Sequence, residues 1–183
     1  MDSAINLEEF LAQSFREAFK LVESAGFLRG RGHDYEEPEG ILTSTKVPTL
    51  TTAAAGTLTP DDLINLMYTV PSSFHRKNGV YLVNTEIERQ MRLFRDGNGG
   101  FIYAQSLQAG VPSTFNGRPV YVEDSFETFA SGTKQAVYGD IKAGYQIAEN
   151  KGLSIIRLNE KYIEHDLIAF RAKSRVGGGV VRP

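Results

Sequence analysis

The sequence predicts an α+β fold, and three observations predict it. Apolar residues recur at helical spacing through the first 25 positions. Two more helical segments, each with a start signal, follow before residue 95. From residue 115 onward, short strand patterns separated by turns dominate, which implies antiparallel pairing.

The first helix is expected to begin at Asn6, a good N-cap, with Glu9 three residues later as its capping-box partner and Ile5 and Phe10 as a hydrophobic staple. Leu7, Phe10, Leu11, Phe15, Ala18, Val22 and Ala25 form its apolar stripe, and Gly26 is the expected stop. A helix of about 20 residues is about 30 Å long. Residues 29–57 carry Gly30, Gly32, Pro38, Gly40, Pro48 and Gly56 and read as an extended connection rather than a packed element. The second helix has Thr59 as cap, Pro60 in the first helical position and Asp61 and Asp62 at the positive end of the dipole. Leu58 and Leu63 form its staple, and Pro71 marks its end.

Gly79-Val80-Tyr81-Leu82-Val83 reads as a short buried strand. A third helix is expected near Thr85, with Glu88 as box partner and Ile87, Met91 and Phe94 on one face. Asp96-Gly97-Asn98-Gly99-Gly100 ends it as a loop. Asn116-Gly117 is a hairpin-turn signal, and Pro119-Val120-Tyr121-Val122 leaves it as a strand. Further strands are expected at 135–139, 145–149, 153–159 and 163–173. In the last of these, Ile168, Phe170 and Ala172 form the drier face. Gly177-Gly178-Gly179 is expected to be a mobile tail.

The bulk composition narrows the function. The chain has 183 residues, 41% hydrophobic and 23% charged, which suits a globular body rather than a disordered one. Its 20 Lys and Arg against 22 Asp and Glu leave a net charge of −2, so the excess of cations typical of phosphate-neutralising proteins is missing. There are no cysteines, which excludes disulfides, Cys-based zinc sites and a thiol nucleophile. The N-terminal sequence does not read as a signal peptide, and no stretch approaches the ~20 apolar residues of a bilayer span. A soluble protein made in a cytoplasm, with no membrane partner, is the expectation.

No catalytic constellation emerges. His33, His75 and His165 have no metal-ligand spacing. His165-Asp166 reads as a surface pair on a strand in preference to half of a catalytic dyad. Asp96–Gly100 resembles the start of a calcium loop, but the twelfth position, which must be glutamate, is Leu107. Gly30-Arg31-Gly32 and Gly132-Thr133-Lys134 are better read as turns than as phosphate loops. Ser72-Ser73 and Ser113-Thr114 lack a nucleophile elbow. Arg89, Arg92 and Arg95 share a helix face, and a solvated face or a salt bridge between subunits is preferred to nucleic-acid contact.

Three stretches together resemble the major capsid proteins of tailed phages with the Hong Kong 97-type fold. The first is the long helix running into Ala25-Gly26-Phe27-Leu28-Arg29-Gly30-Arg31-Gly32 and then Glu37-Pro38-Glu39-Gly40-Ile41-Leu42. The second runs from Asp61-Asp62-Leu63-Ile64 to Asn78-Gly79-Val80-Tyr81-Leu82-Val83-Asn84. The third comprises Asn116-Gly117-Arg118-Pro119-Val120, Ala136-Val137-Tyr138-Gly139-Asp140 and Gly144-Tyr145-Gln146-Ile147. Phe170–Arg175 resembles the family's closing long strand. Their order and spacing over nearly the whole chain carry the resemblance, since each motif alone is weak.

The resemblance implies a spine helix with an extended connection (1–57), an axial domain (58–135) and peripheral-domain strands with a C-terminal tail (136–183). It implies a non-enzymatic shell subunit that self-associates into hexamers and pentamers around a genome. The expected place is the virion, after synthesis in a bacterial cytoplasm. Scaffold or portal proteins would be further partners, and no specific nucleic-acid sequence, cofactor or metal is implied. Gly117, Pro119, Val120, Gly139, Asp140 and Tyr145 are read as fold determinants. Met1 stands almost at the spine helix, so the family's N-terminal arm and E-loop are expected to be missing, and no crosslinking residue is assigned. The alternatives are a bacterial nanocompartment shell protein, a defective-prophage product that interferes with assembly, and a small α+β enzyme using His165 or His75.

Overall fold

The computed structural model describes residues 7–52, 56–71, 73–103, 112–150, 152–165 and 167–183. The expected cap Asn6 and staple residue Ile5 lie outside them. Helix α1 (Leu7–Arg29) does not stop at Gly26. It runs on because Gly26 makes an ordinary packing contact: a Cβ there would sit 3.6 Å from the Pro38 ring. The chain turns at Gly30 instead, where a Cβ would collide with the Pro38 carbonyl oxygen. Only glycine admits so close a backbone crossing.

The stretch after α1 is more than a connection. A 3-10 turn at His33–Tyr35 and a bridge between Arg31 and Glu39 fold residues 30–40 back on themselves. Ile41 and Leu42 donate their N–H groups to the Phe27 and Leu28 carbonyls at 2.9 Å, closing this fold onto the helix end. Leu28, Gly30, Gly40 and Ser44 are buried there. From Pro48 to Thr52 the chain has no regular structure, as the proline and threonine content favours.

The central body is a four-stranded sheet with helices α2 (Pro60–Tyr68), α3 (Ser73–Asn78) and α4 (Thr85–Arg92). Its strands are β1 (Val80–Val83), β2 (Thr114–Phe115), β3 (Arg118–Val122) and β4 (Ala136–Gly139), in the order β2-β3-β1-β4. β1 runs parallel to β3 and antiparallel to β4. α2 starts as expected, and Thr59 and Asp62 close a reciprocal capping box. α4 differs: Asn84, one residue before Thr85, is the cap, accepting the Glu86 N–H at 2.8 Å. Glu88 is therefore one position too late to close a box, and it binds Arg92 instead. Leu63, Met67, Tyr81, Val83, Ile87, Met91, Phe94, Phe115 and Val120 form the core between sheet and helices. Tyr81 sits at its centre, fully buried, with its hydroxyl donating to the Leu63 carbonyl at 3.2 Å.

The C-terminal third holds two separate ribbons. β5 (Tyr145–Glu149) follows the short helix α5 (Ile141–Gly144) and pairs with β8 (Val176–Val180). β6 (Ser154–Tyr162) and β7 (Leu167–Lys173) form a hairpin around a 3-10 turn at Ile163–His165, so β7 begins later than residue 163. Its face is less dry than the alternation implies, since Ile168 is half exposed. The glycine tail is not mobile but is the middle of β8: Gly177, Gly178 and Gly179 pair with Ala148, Ile147 and Gln146. The run serves close approach rather than slack, because a Cβ at Gly178 would strike the Tyr145 hydroxyl and ring.

Candidate functional site

The six sequence-picked residues fall into two groups. Gly117, Pro119 and Val120 lie in the β2–β3 hairpin. Asn116 (φ 49°) and Gly117 (φ 72°) are both left-handed, as a two-residue turn of this kind requires. The turn sets Thr114 opposite Pro119 and Phe115 opposite Arg118. Val120 then lands beside Tyr81 in the neighbouring strand and is buried. Phe115 packs edge-on against Tyr81, with ring centroids 5.8 Å apart.

Gly139, Asp140 and Tyr145 line the corner where the central sheet hands over to the β5–β8 ribbon. Asp140 caps α5 by accepting the Ala143 N–H at 3.1 Å. Tyr145 donates its hydroxyl to the Glu39 carbonyl at 2.9 Å and sets its ring against Phe27 of α1. Burial, with the Glu39 carboxylate nearby, pushes this phenol up to about 12. The Glu39 carboxylate is held below the usual range by the Ser44 hydroxyl and the Lys46 ammonium. Lys46 also reaches the Val180 carbonyl at 3.3 Å, so one polar knot joins the end of α1, β5 and β8. Gly139 makes no comparable demand, since a Cβ there would meet nothing within 4 Å.

The histidines do not assemble a reactive centre. His165 is exposed in the turn between β6 and β7, and Asp166 lies outside the described residues. His33 sits in the first 3-10 turn. His75 approaches Asp140, distant in sequence, at 3.8 Å, too long for a direct hydrogen bond. No hydroxyl joins them among the described residues, which also hold no cluster of three or more His, Asp or Glu fit for a metal. No helix among them is long and apolar enough to cross a membrane.

The arginine stripe is used internally. Arg89 pairs with Glu86 at 2.5 Å and Arg92 with Glu88 at 2.6 Å. Arg95 lies 4.1 Å above the Phe101 ring and donates to the Gly99 carbonyl. What the sequence reading missed is the amount of apolar surface left uncovered. Phe10, Leu21 and Val22 of α1 are 59%, 70% and 71% exposed, although Phe10 and Val22 sit in the helical stripe that ordinarily marks a core face. Ile156 and Ile168 are each half exposed on the β6–β7 hairpin, and Tyr162 nearly so. Periodicity identifies an apolar face but not whether the same chain covers it.

Fold and site together define an α+β body held by packing and polar knots, with large apolar side chains turned outward and no reactive grouping among its described residues. The chain belongs to the phage capsid family, whose model matches residues 1–183. Among solved structures it is similar to the "capsid of native GTA particle computed with C5 symmetry" and to the capsid of the empty GTA particle. Each shares 31% identity with a TM-score of 0.83, over 98% of this chain. The chain spans 64% of the length of those capsid chains. The comparison with curated proteins finds no match.

Proposed function

We propose that this chain forms the shell-building body of a major capsid protein. Copies associate side by side into hexamers and pentamers, and these close an icosahedral shell around a genome. The role is structural, the finished location is the virion, and synthesis takes place in the bacterial host. Scaffold and portal proteins are further partners. The observation that carries the reading is the likeness to GTA capsid chains over 98% of this chain at 31% identity. The outward apolar residues of α1 and of the β6–β7 hairpin support it, because repeated modest contacts between copies are what a shell is built from.

Within this role, residues 1–57 supply the spine and its connection, 58–135 the axial domain and 136–183 the peripheral strands. The pairing of β4 with β1 favours drawing the axial boundary just after Gly139. Gly117, Pro119 and Val120 fix the axial hairpin, and Asp140 and Tyr145 fix the joint between the two domains. Co-expression with a full-length capsid protein of the family tests the reading. The chain is expected to cosediment with the assembled shells or to reduce their yield. Intact shells at normal yield, free of the chain, would refute it.

A further inference from the structure

The antiparallel register makes β4 an edge strand with a defined outward side. Asn84 donates its N–H to the Gln135 carbonyl at 3.0 Å. Alternation along an antiparallel pair then makes Leu82–Val137 and Val80–Gly139 the bonded pairs. The N–H and C=O groups of Ala136 and Tyr138 therefore point away from β1, and they have no backbone partner among the described residues. They open on a groove of about 970 Å³. Its apolar wall includes Leu58, Leu66, Val70, Phe129, Val137 and Ile141.

Two more observations specify what fits. Gln135 lines the groove, is 8% exposed, and has a buried Oε1 without a hydrogen-bond donor among the described residues, while its Nε2 donates to Glu127 and Thr133. Among the charged side chains of the wall, those without an ion-pair or helix-cap partner are positive. Asp62 is engaged in the α2 cap, Asp140 in the α5 cap, and Lys46 is paired with Glu39. Lys134, whose ammonium meets the Leu42 carbonyl, and Arg182 remain along the wall.

We propose that the β4 groove binds an extended, apolar peptide segment bearing an acidic residue, by adding it as a strand to the edge of β4. An extended chain supplies the alternating N–H and C=O groups that Ala136 and Tyr138 lack. A helix has already used its own. Apolar side chains match the wall, and an acidic one answers Lys134 and Arg182.

The test is an NMR titration of the ¹⁵N-labelled chain with a short synthetic peptide that alternates valine and threonine and ends in aspartate. Amide shifts are expected along β4, with affinity falling about tenfold or more for A136P, which removes an outward N–H and spares the ladder to β1. If A136P fails to fold, a peptide N-methylated at alternate residues makes the same test on the unaltered protein and is expected to lose binding. Lysine in place of aspartate is expected to weaken binding several-fold, as is K134E. The proposal is overturned by no β4 shift at millimolar peptide, or by equal binding of the N-methylated peptide. It is overturned equally by self-association that A136P abolishes, which would make the occupant a second copy.

Discussion

Replacing Gly178 by alanine tests whether the glycine run of β8 exists for close packing. Its Cβ would lie 2.9 Å from the Tyr145 ring and nearer still to the hydroxyl. The ring cannot yield freely, because Phe27 flanks it and its hydroxyl holds the Glu39 carbonyl. Moving it forfeits a hydrogen bond of about 1 kcal/mol and an edge-on aromatic contact of about 1 kcal/mol. The smaller entropy of the unfolded alanine chain returns roughly 0.5 kcal/mol. With part of the ring's burial also lost, G178A should cost about 2 kcal/mol, lowering Tm by about 4–8 °C in a chain of this length. At Gly177, next in the same strand, a Cβ would meet nothing within 4 Å, so G177A should be neutral or slightly stabilising. Thermal unfolding followed by circular dichroism compares the two. Equal Tm values for G178A and G177A would refute the packing account. So would an undiminished cost of G178A in a Tyr145→Ala background, where the clash is gone.

Three other outcomes follow from the same geometry. G117A should cost about 1–2 kcal/mol in urea unfolding because of its left-handed backbone, whereas G139A should cost nothing measurable, having room and an ordinary φ. T59A should cost about 1 kcal/mol, since it removes the acceptor of the Asp62 N–H and a donor to the Asp62 carboxylate. Burial raises the phenols of Tyr81, Tyr103, Tyr138 and Tyr145, the last to about 12. A folded pKa above the unfolded one favours folding below about pH 10 and loses that contribution as pH rises through the folded value. Absorbance at alkaline pH should therefore show these four ionising late, together with unfolding, and early ionisation of all eight tyrosines would contradict their burial.

How much was legible in the sequence depended on whether local signals decided the structure. The Thr59-Pro60 start and the Asn116-Gly117 turn are local chemistry, and both hold. Helix α3 was invisible, because six residues without an apolar period are not stable alone. It is held by Arg76, which donates to the Val70 carbonyl and lies over the Tyr68 ring, and by the Tyr138 hydroxyl, which binds the Arg76 carbonyl. β8 was misread for a similar reason: glycines have no strand preference, and a distant tyrosine decides their place. The stop at Gly26 failed because Pro38 packs on it rather than cutting the helix short. At the candidate site, Tyr145 and Asp140 were recognisable, but the meeting of Tyr145 with Glu39 joins residues 106 apart, which no spacing rule reaches. The open apolar face of α1 was legible as apolar only, since exposure is a property of the assembled fold.

Sedimentation equilibrium of the purified chain, from micromolar to millimolar, tests the central claim most directly. A capsid body that retains its contacts should depart from the 20.2 kDa monomer as concentration rises, toward the mass of pentamers or hexamers. The charge-introducing variant L21E/V22E, on the open face of α1, should weaken that association. A mass of 20.2 kDa at every concentration would contradict self-association of this chain through the surfaces described.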